Sequence, residues 1–186
     1  GEDQKQHLEL CRDIAQKFNN DFQAEDFFKI PEPLIKKDFS RIMSLKDGTK
    51  KMSKSESSDF SRINLTDGTD EIVNKIKKAK TDSLPLPLSI IELEKRPEAK
   101  NLISIYSSLS DLSLEDSINE FTGKNFSELK DKLSQVLIDK IIPISKEIKK
   151  LLSEKTFLDN LLLEGSEKAD RIASQKIKKI HEILGF

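Results

Sequence analysis

At 186 residues the chain is long enough to bury the core of one large domain or two small ones, and 35% hydrophobic with 35% charged residues suits a helix-rich protein with broad solvated faces. A formal net charge of -1 excludes a global pull toward nucleic acid, so any contact with an anionic partner has to come from local clusters of lysine. The single cysteine, Cys11, excludes an intrachain disulfide and a cysteine-built metal site; no apolar run approaches the roughly 18 to 20 residues that span a bilayer, so the expectation is a cytoplasmic protein without a membrane partner.

In chain order, Leu8, Cys11, Ile14, Ala15 and Phe18 recur at helical spacing and predict an amphipathic helix from Gln4 to Asn19. From Asp21 to Ile63 the pattern breaks: Pro31 and Pro33 interrupt it, Ile42 to Leu45 reads as a strand or strand end, and Lys46 to Ser58 reads as a polar loop containing Gly48. Thr69 is placed to cap a helix through Ile72, Val73, Ile76 and Ala79. Three prolines between Thr81 and Pro97 mark a link, and everything after it reads as helix. Pro97 suits the first turn ahead of Leu102, Ile103 and Tyr106, and Ser113 with Asp116 forms a capping pair ahead of Ile118 and Phe121. A long pattern runs from Leu129 to Leu151 with a kink predicted at Pro143, and two more helices are expected on either side of Gly165. Residues 82–186 are therefore expected to form an all-helical bundle.

The chemistry concentrates at Lys51-Met52-Ser53-Lys54-Ser55. Two ammonium groups three residues apart on a mobile loop can converge on a polyphosphate, while Ser53 and Ser55 add hydroxyls and keep the backbone supple. A bare lysine pair at this spacing is more often plain solvated surface. His7 and His181 are the only histidines and lack ligand partners at metal-binding spacing, so no metal site is expected. Lys146, Lys149 and Lys150, and then Lys168, Arg171, Lys176, Lys178 and Lys179, cluster on the last helices, diluted by Glu167, Asp170 and Glu182; without further context they are solvated faces.

The pentapeptide resembles the phosphate loop of class I aminoacyl-tRNA synthetases, and Arg41-Ile42-Met43-Ser44-Leu45 ahead of it resembles the tryptophan branch. Gly1-Glu2-Asp3-Gln4-Lys5-Gln6-His7-Leu8-Glu9-Leu10 is similar to that branch's segment after the fourth strand of the nucleotide fold, and Gly165 to Arg171 to the start of its last helix. The tyrosine branch shares the Asp-Gln pair and is the nearest alternative; a non-catalytic helical tRNA-binding module is the other.

The resemblance implies a mostly α protein: a remnant of a Rossmann-type α/β nucleotide-binding domain at 1–81, then an all-helical anticodon-binding bundle at 82–186. It implies that Lys51 and Lys54 are the catalytic charges and that Lys51, Met52, Ser53, Lys54 and Ser55 hold the triphosphate. Gly1, Glu2 and Asp3 would face ATP, the Ile42 backbone would meet adenine, and Gln4 would face the amino acid. ATP, Mg²⁺ carried on its phosphates, L-tryptophan and tRNA(Trp) are the implied partners, with a homodimer in the full-length enzyme. The sequence contains no His-x-Gly-His, the other half of the class I nucleotide site. The chain is thus expected to be a C-terminal portion, inactive alone, with apolar surface and a strand edge left unpaired.

Overall fold

The computed structural model describes residues 4–34 and 42–186. The described chain is mostly α: α1 (Lys5–Asp21), a two-stranded ribbon of β1 (Met43–Ser44) and β2 (Asp47–Lys51), a 3-10 turn at Asp59–Ser61, then α2 (Thr69–Lys78), α3 (Ile90–Glu94), α4 (Pro97–Ser110), α5 (Leu114–Glu120), α6 (Phe126–Ser153) and α7 (Lys155–Leu184). By compactness it divides into two units, Gly1–Lys36 with Leu151–Phe186, and Lys37–Lys150.

The second unit holds the core. Leu45 from the ribbon, Ile72 and Ile76 from α2, Leu93 from α3, Leu102 and Ile103 from α4, Ile118 and Phe121 around α5, and Leu129, Leu133 and Leu137 from α6 are buried in one cluster. Each helix contributes the stripe that its apolar spacing dictates, and burying those stripes is the dominant force favouring this packing. Local caps set the helix starts. Ser113 Oγ accepts the Asp116 N–H at 3.0 Å, as the sequence pair predicts. Asn125 and Glu128 do the same reciprocally for α6, with Glu128 N–H donating to Asn125 Oδ1 at 3.1 Å and Asn125 N–H to Glu128 Oε2 at 2.9 Å. Pro97 opens α4 as expected.

Several elements depart from their sequence reading. Lys46–Ser58 is not one loop, because Asp47–Lys51 is a strand; pairing with β1 overrides its polar composition. The cap of α2 is Gly68 rather than Thr69, and the Gly68 N–H is satisfied by the Glu71 carboxylate at 2.7 Å. Inside the proline-rich link, Ser89 caps the short helix α3. Gly165 does not separate two helices: α7 runs through it, since one glycine costs a helix only about 1 kcal/mol and no proline stands nearby. The long pattern through Leu151 is one helix as expected, α6, with Pro143 inside it.

The first unit is stitched by aromatics. Phe18 on α1 meets the rings of Phe22, Phe27 and Phe28 at centroid distances of 4.9, 5.4 and 5.0 Å. Lys176 of α7 lies over the Phe27 ring at 3.8 Å and donates to the Phe27 carbonyl. The Asn19 side chain closes the segment by bonding both the N–H and the C=O of Phe28, at 3.0 and 2.8 Å. Exposed apolar side chains occur on helices, at Leu10 and Ile14 of α1 and Leu161, Leu162 and Ile172 of α7, and outside them, at Leu34, Leu65, Leu84 and Leu88.

Candidate functional site

The ribbon presents the lysine loop. In β1 and β2, Met43 stands opposite Lys51 and Ser44 opposite Asp47, so one step on β1 is matched by four on β2. That irregularity lets Gly48 bury itself against the start of α4. A Cβ at Gly48 would stand 2.5 Å from the Pro97 carbonyl carbon and 2.6 Å from the Glu98 nitrogen, so only glycine permits the approach. Opposite, Asn101 of α4 acts as a third strand. Its Oδ1 accepts the Met43 N–H at 3.0 Å and its Nδ2 donates to the Met43 carbonyl at 2.9 Å. The strand edge expected to stand unpaired is therefore satisfied at Met43 by a side-chain amide. The turn between the strands is held too, because Leu45 N–H donates to Ser61 C=O at 2.9 Å and Lys80 N–H donates to Leu45 C=O at 2.7 Å.

Lys51 ends β2, and the Met52 N–H donates to the Ile42 carbonyl at 3.1 Å. Met52, half-buried, packs on the core, so the pentapeptide is anchored at its second residue. Beyond it the chain leaves the ladder and turns: Ser53 and Ser55 hydroxyls lie 2.8 Å apart, Ser55 N–H donates to Ser53 Oγ at 3.3 Å and Glu56 N–H to Ser53 C=O at 3.4 Å. Lys51 and Lys54 are exposed. The two lysines thus differ: the backbone of Lys51 belongs to a sheet, that of Lys54 to a short turn.

The segment after the loop carries ionic contacts that the sequence reading overlooked. Lys75, buried on α2, places its ammonium 2.6 Å from Asp59 Oδ2 and 2.7 Å from Asp67 Oδ2. Burial opposes its charge, but the hydrogen bonds it donates to Asp59 and Asp67 outweigh it and hold the Lys75 pKa above the ordinary lysine value. The Lys75 and Asn64 hydrogen bonds hold the Asp59 carboxyl below the usual aspartate value. Alternating Asp, Arg, Asn and Asp at 59, 62, 64 and 67 was the available signal, but nothing in sequence spacing ties it to Lys75. A second pair, buried Arg96 with half-buried Asp82 at 2.5 Å, straps the proline-rich link, with Arg96 also donating to the Pro85 carbonyl.

Of the remaining site residues, Ile42 is half-buried and joins the loop through Met52. Gln4, in the other unit, stands at the N-cap position of α1 without a side-chain capping hydrogen bond. Gly1, Glu2 and Asp3 lie outside the described residues, as does Arg41 of the second motif. On the basic helix, Lys168 pairs with Glu164 at 2.5 Å on an exposed face, as a solvated helix surface would, whereas Lys176 is half-buried and held by Phe27.

Comparison with known proteins gives this hairpin a context. The model for tRNA synthetases class I (W and Y) matches residues 1–141. The tryptophan–tRNA ligase of Brucella melitensis is 47% identical over 204 residues, covering all of this chain and 58% of that protein. That of Rickettsia felis is 49% identical over 188 residues, covering all of this chain and 56% of its own length. The crystal structure of tryptophanyl-tRNA synthetase from Mycoplasma pneumoniae superposes with a TM-score of 0.83 at 30% identity, over all of this chain and 55% of that one. The Campylobacter jejuni enzyme, complexed with ADP and tryptophan, superposes with a TM-score of 0.68 at 26% identity, over all of this chain and 56% of that one. The chain therefore spans a little over half the length of the relatives it matches, and its ribbon is the remnant of their Rossmann-type α/β fold. Matched over most of its length and carrying the lysine loop on a hairpin, the chain belongs to the class I aminoacyl-tRNA synthetases of the tryptophan and tyrosine group.

Proposed function

We propose that this chain is the C-terminal portion of an ATP-dependent tryptophan–tRNA ligase, with residues 1–81 the end of its catalytic domain and 82–186 its helical anticodon-binding domain. The observation that carries the reading is the exposed Lys51-to-Ser55 turn, anchored at Met52 and the Ile42 carbonyl, in a chain whose curated relatives are named tryptophan–tRNA ligases. The family model spans tryptophan and tyrosine enzymes alike, so it is the names of these relatives that favour tryptophan.

In the first step a tryptophan carboxylate oxygen bonds to the α-phosphorus of ATP, the bond from that phosphorus to the bridging oxygen breaks, and pyrophosphate leaves. In the second, a hydroxyl of the terminal ribose of tRNA(Trp) attacks the acyl carbon and AMP leaves. The protein supplies alignment and positive charge rather than covalent chemistry. Lys51 and Lys54 meet the triphosphate, and Lys54, on the reshaping turn, follows the charge as it moves onto the departing pyrophosphate; interactions that tighten only then raise turnover. Ser53 and Ser55 hydroxyls exchange their mutual bond for phosphate oxygens. The Ile42 backbone meets adenine, while Gly1, Glu2 and Asp3 border the nucleotide and Gln4 the amino acid. Mg²⁺ arrives on the phosphates of ATP. Bound there, Mg²⁺ would neutralise phosphate charge. In full length the enzyme is a cytoplasmic homodimer, and the 186-residue chain alone is inactive.

Exchange of labelled pyrophosphate into ATP tests the reading. The full-length protein is expected to exchange with tryptophan and not with tyrosine, and the isolated chain with neither. Exchange dependent on tyrosine would overturn the amino-acid assignment. Absence of exchange from the full-length protein, with tRNA still bound, would favour a non-catalytic module.

A further inference from the structure

The returning leg of the lysine loop is gripped by a single side chain. Arg62 Nη1 donates to the Glu56 carbonyl at 2.9 Å and lies 3.4 Å from the Ser58 carbonyl. Its Nη2 pairs with Asp59 Oδ1 at 3.2 Å, and its Nε donates to Asn64 Oδ1 at 3.2 Å. The three guanidinium nitrogens are all engaged within the protein, and the side chain is only 18% exposed. Arg62 is therefore poorly placed to bind phosphate itself, although it lies seven residues after Ser55.

Behind Arg62 stands a closed ionic network. Asp59 Oδ2 and Asp67 Oδ2 both accept from buried Lys75. Asn64 Nδ2 donates to Asp59 Oδ1 at 2.9 Å and Asp67 Oδ1 at 3.2 Å, and the Asn64 N–H donates to Asp67 Oδ2 at 2.8 Å. Two carboxylates face two cations, so the charges balance. Its buried part is the Lys75–Asp67 pair, where removing either member strands the other in a poorly solvated place, while Asp59, 55% exposed, links that pair to Arg62. One end is bolted to α2 through Lys75, and the other holds the backbone one residue beyond Ser55.

We infer that Arg62 is a positioning residue for the lysine loop: backed by Asp59 and Lys75, it sets where the Ser53-to-Ser55 turn starts and ends, and hence where the Lys54 ammonium can reach. The inference rests on the proposed role of Lys54 and extends it to a group that does not touch the nucleotide. With one leg fixed at Met52 and the other at Glu56, the turn can reshape over only the residues between them. This confinement keeps the search for the productive geometry short.

The test compares Arg62→Gln, Lys54→Ala and the double variant in the full-length protein, by pyrophosphate exchange and by hydrogen exchange of the Ser55 and Glu56 amides. Arg62→Gln is expected to lower kcat by about 10- to 100-fold while the ATP KM moves less than about threefold, since misplacing a charge by about an ångström has that effect. Because Arg62 acts through Lys54, the double variant should be within about twofold of Lys54→Ala alone. The two amides should exchange about tenfold faster in Arg62→Gln, while those of α4 keep their protection. Multiplying losses in the double variant, or unchanged amide exchange at Ser55 and Glu56, would overturn the inference. If Arg62→Gln unfolds, Asp59→Asn, which removes the charge opposite Arg62 with little change of shape, is read by the same criteria. Should the wild-type protein fail to exchange pyrophosphate, the functional reading falls, and the amide exchange still decides whether Arg62 anchors the loop.

Discussion

Asn101 bonds Met43 as a neighbouring strand would, accepting its N–H and donating to its carbonyl from the side of a helix. A two-residue strand has little pairing of its own, and this bracket fastens the hairpin to α4. Asn101→Leu keeps the number and branching of the side-chain heavy atoms, though with more bulk, and leaves both Met43 groups without their partner. Each such loss costs about 1 to 3 kcal/mol. The expected result is destabilisation by roughly 2 to 4 kcal/mol in urea unfolding; a variant as stable as wild type would show that the bracket contributes nothing.

Gly48→Ala is expected to be worse than its size suggests. The added methyl would meet backbone atoms of Pro97 and Glu98 at 2.5 to 2.6 Å, and backbone cannot swing aside as a side chain can. A loss of at least about 2 kcal/mol, as overpacking of a tight site produces, is predicted from thermal or urea unfolding. An unchanged midpoint would contradict the close approach.

The glycines Gly165 and Gly123 should respond with opposite signs. Gly165 sits mid-helix with open space around its Cβ position, so Gly165→Ala should stabilise by about 0.5 to 1 kcal/mol. Gly123 has φ +75, where an alanine is strained, so Gly123→Ala should destabilise by about 1 kcal/mol. Circular dichroism melts of the two variants beside wild type distinguish them.

In the full-length enzyme, Lys54→Ala should lower kcat by about 100-fold, the scale seen when one group stabilising transition-state charge is removed, with ATP KM changed less than about threefold. Lys51→Ala should move in the same direction. Steady-state kinetics in which only KM changes would refute the assignment.

The acid limb of stability should depend on Asp82. Its hydrogen bonds and ion pair with Arg96 hold its pKa below the ordinary aspartate value of 3.8. A depressed folded pKa contributes stability that is present above the unfolded value and disappears as pH falls through the folded one. Asp82→Asn should therefore lower stability at neutral pH and flatten its decline below about pH 4. Urea unfolding from pH 3 to 6 measures both; an equally steep decline in the variant would exclude Asp82 as a source.

Local signals carried far along this chain. Apolar spacing placed α1 and α2 and the long stretches of α6, and side-chain chemistry placed the Pro97 start and the Ser113 cap, because a helix is written in contacts three and four residues apart. Lys51 to Ser55 was legible as a resemblance to a phosphate loop for the same reason: its residues are contiguous. Tertiary structure decided the rest. Asp47–Lys51 became a strand because β1 and α4 pair and pack with it, and Gly165 stayed helical because the rest of α7 outweighs one glycine. Lys75 meets Asp59 across 16 positions and Asn101 meets Met43 across 58. A charge or an amide carries no mark in sequence of the partner that folding will bring to it. Only packing chooses that partner.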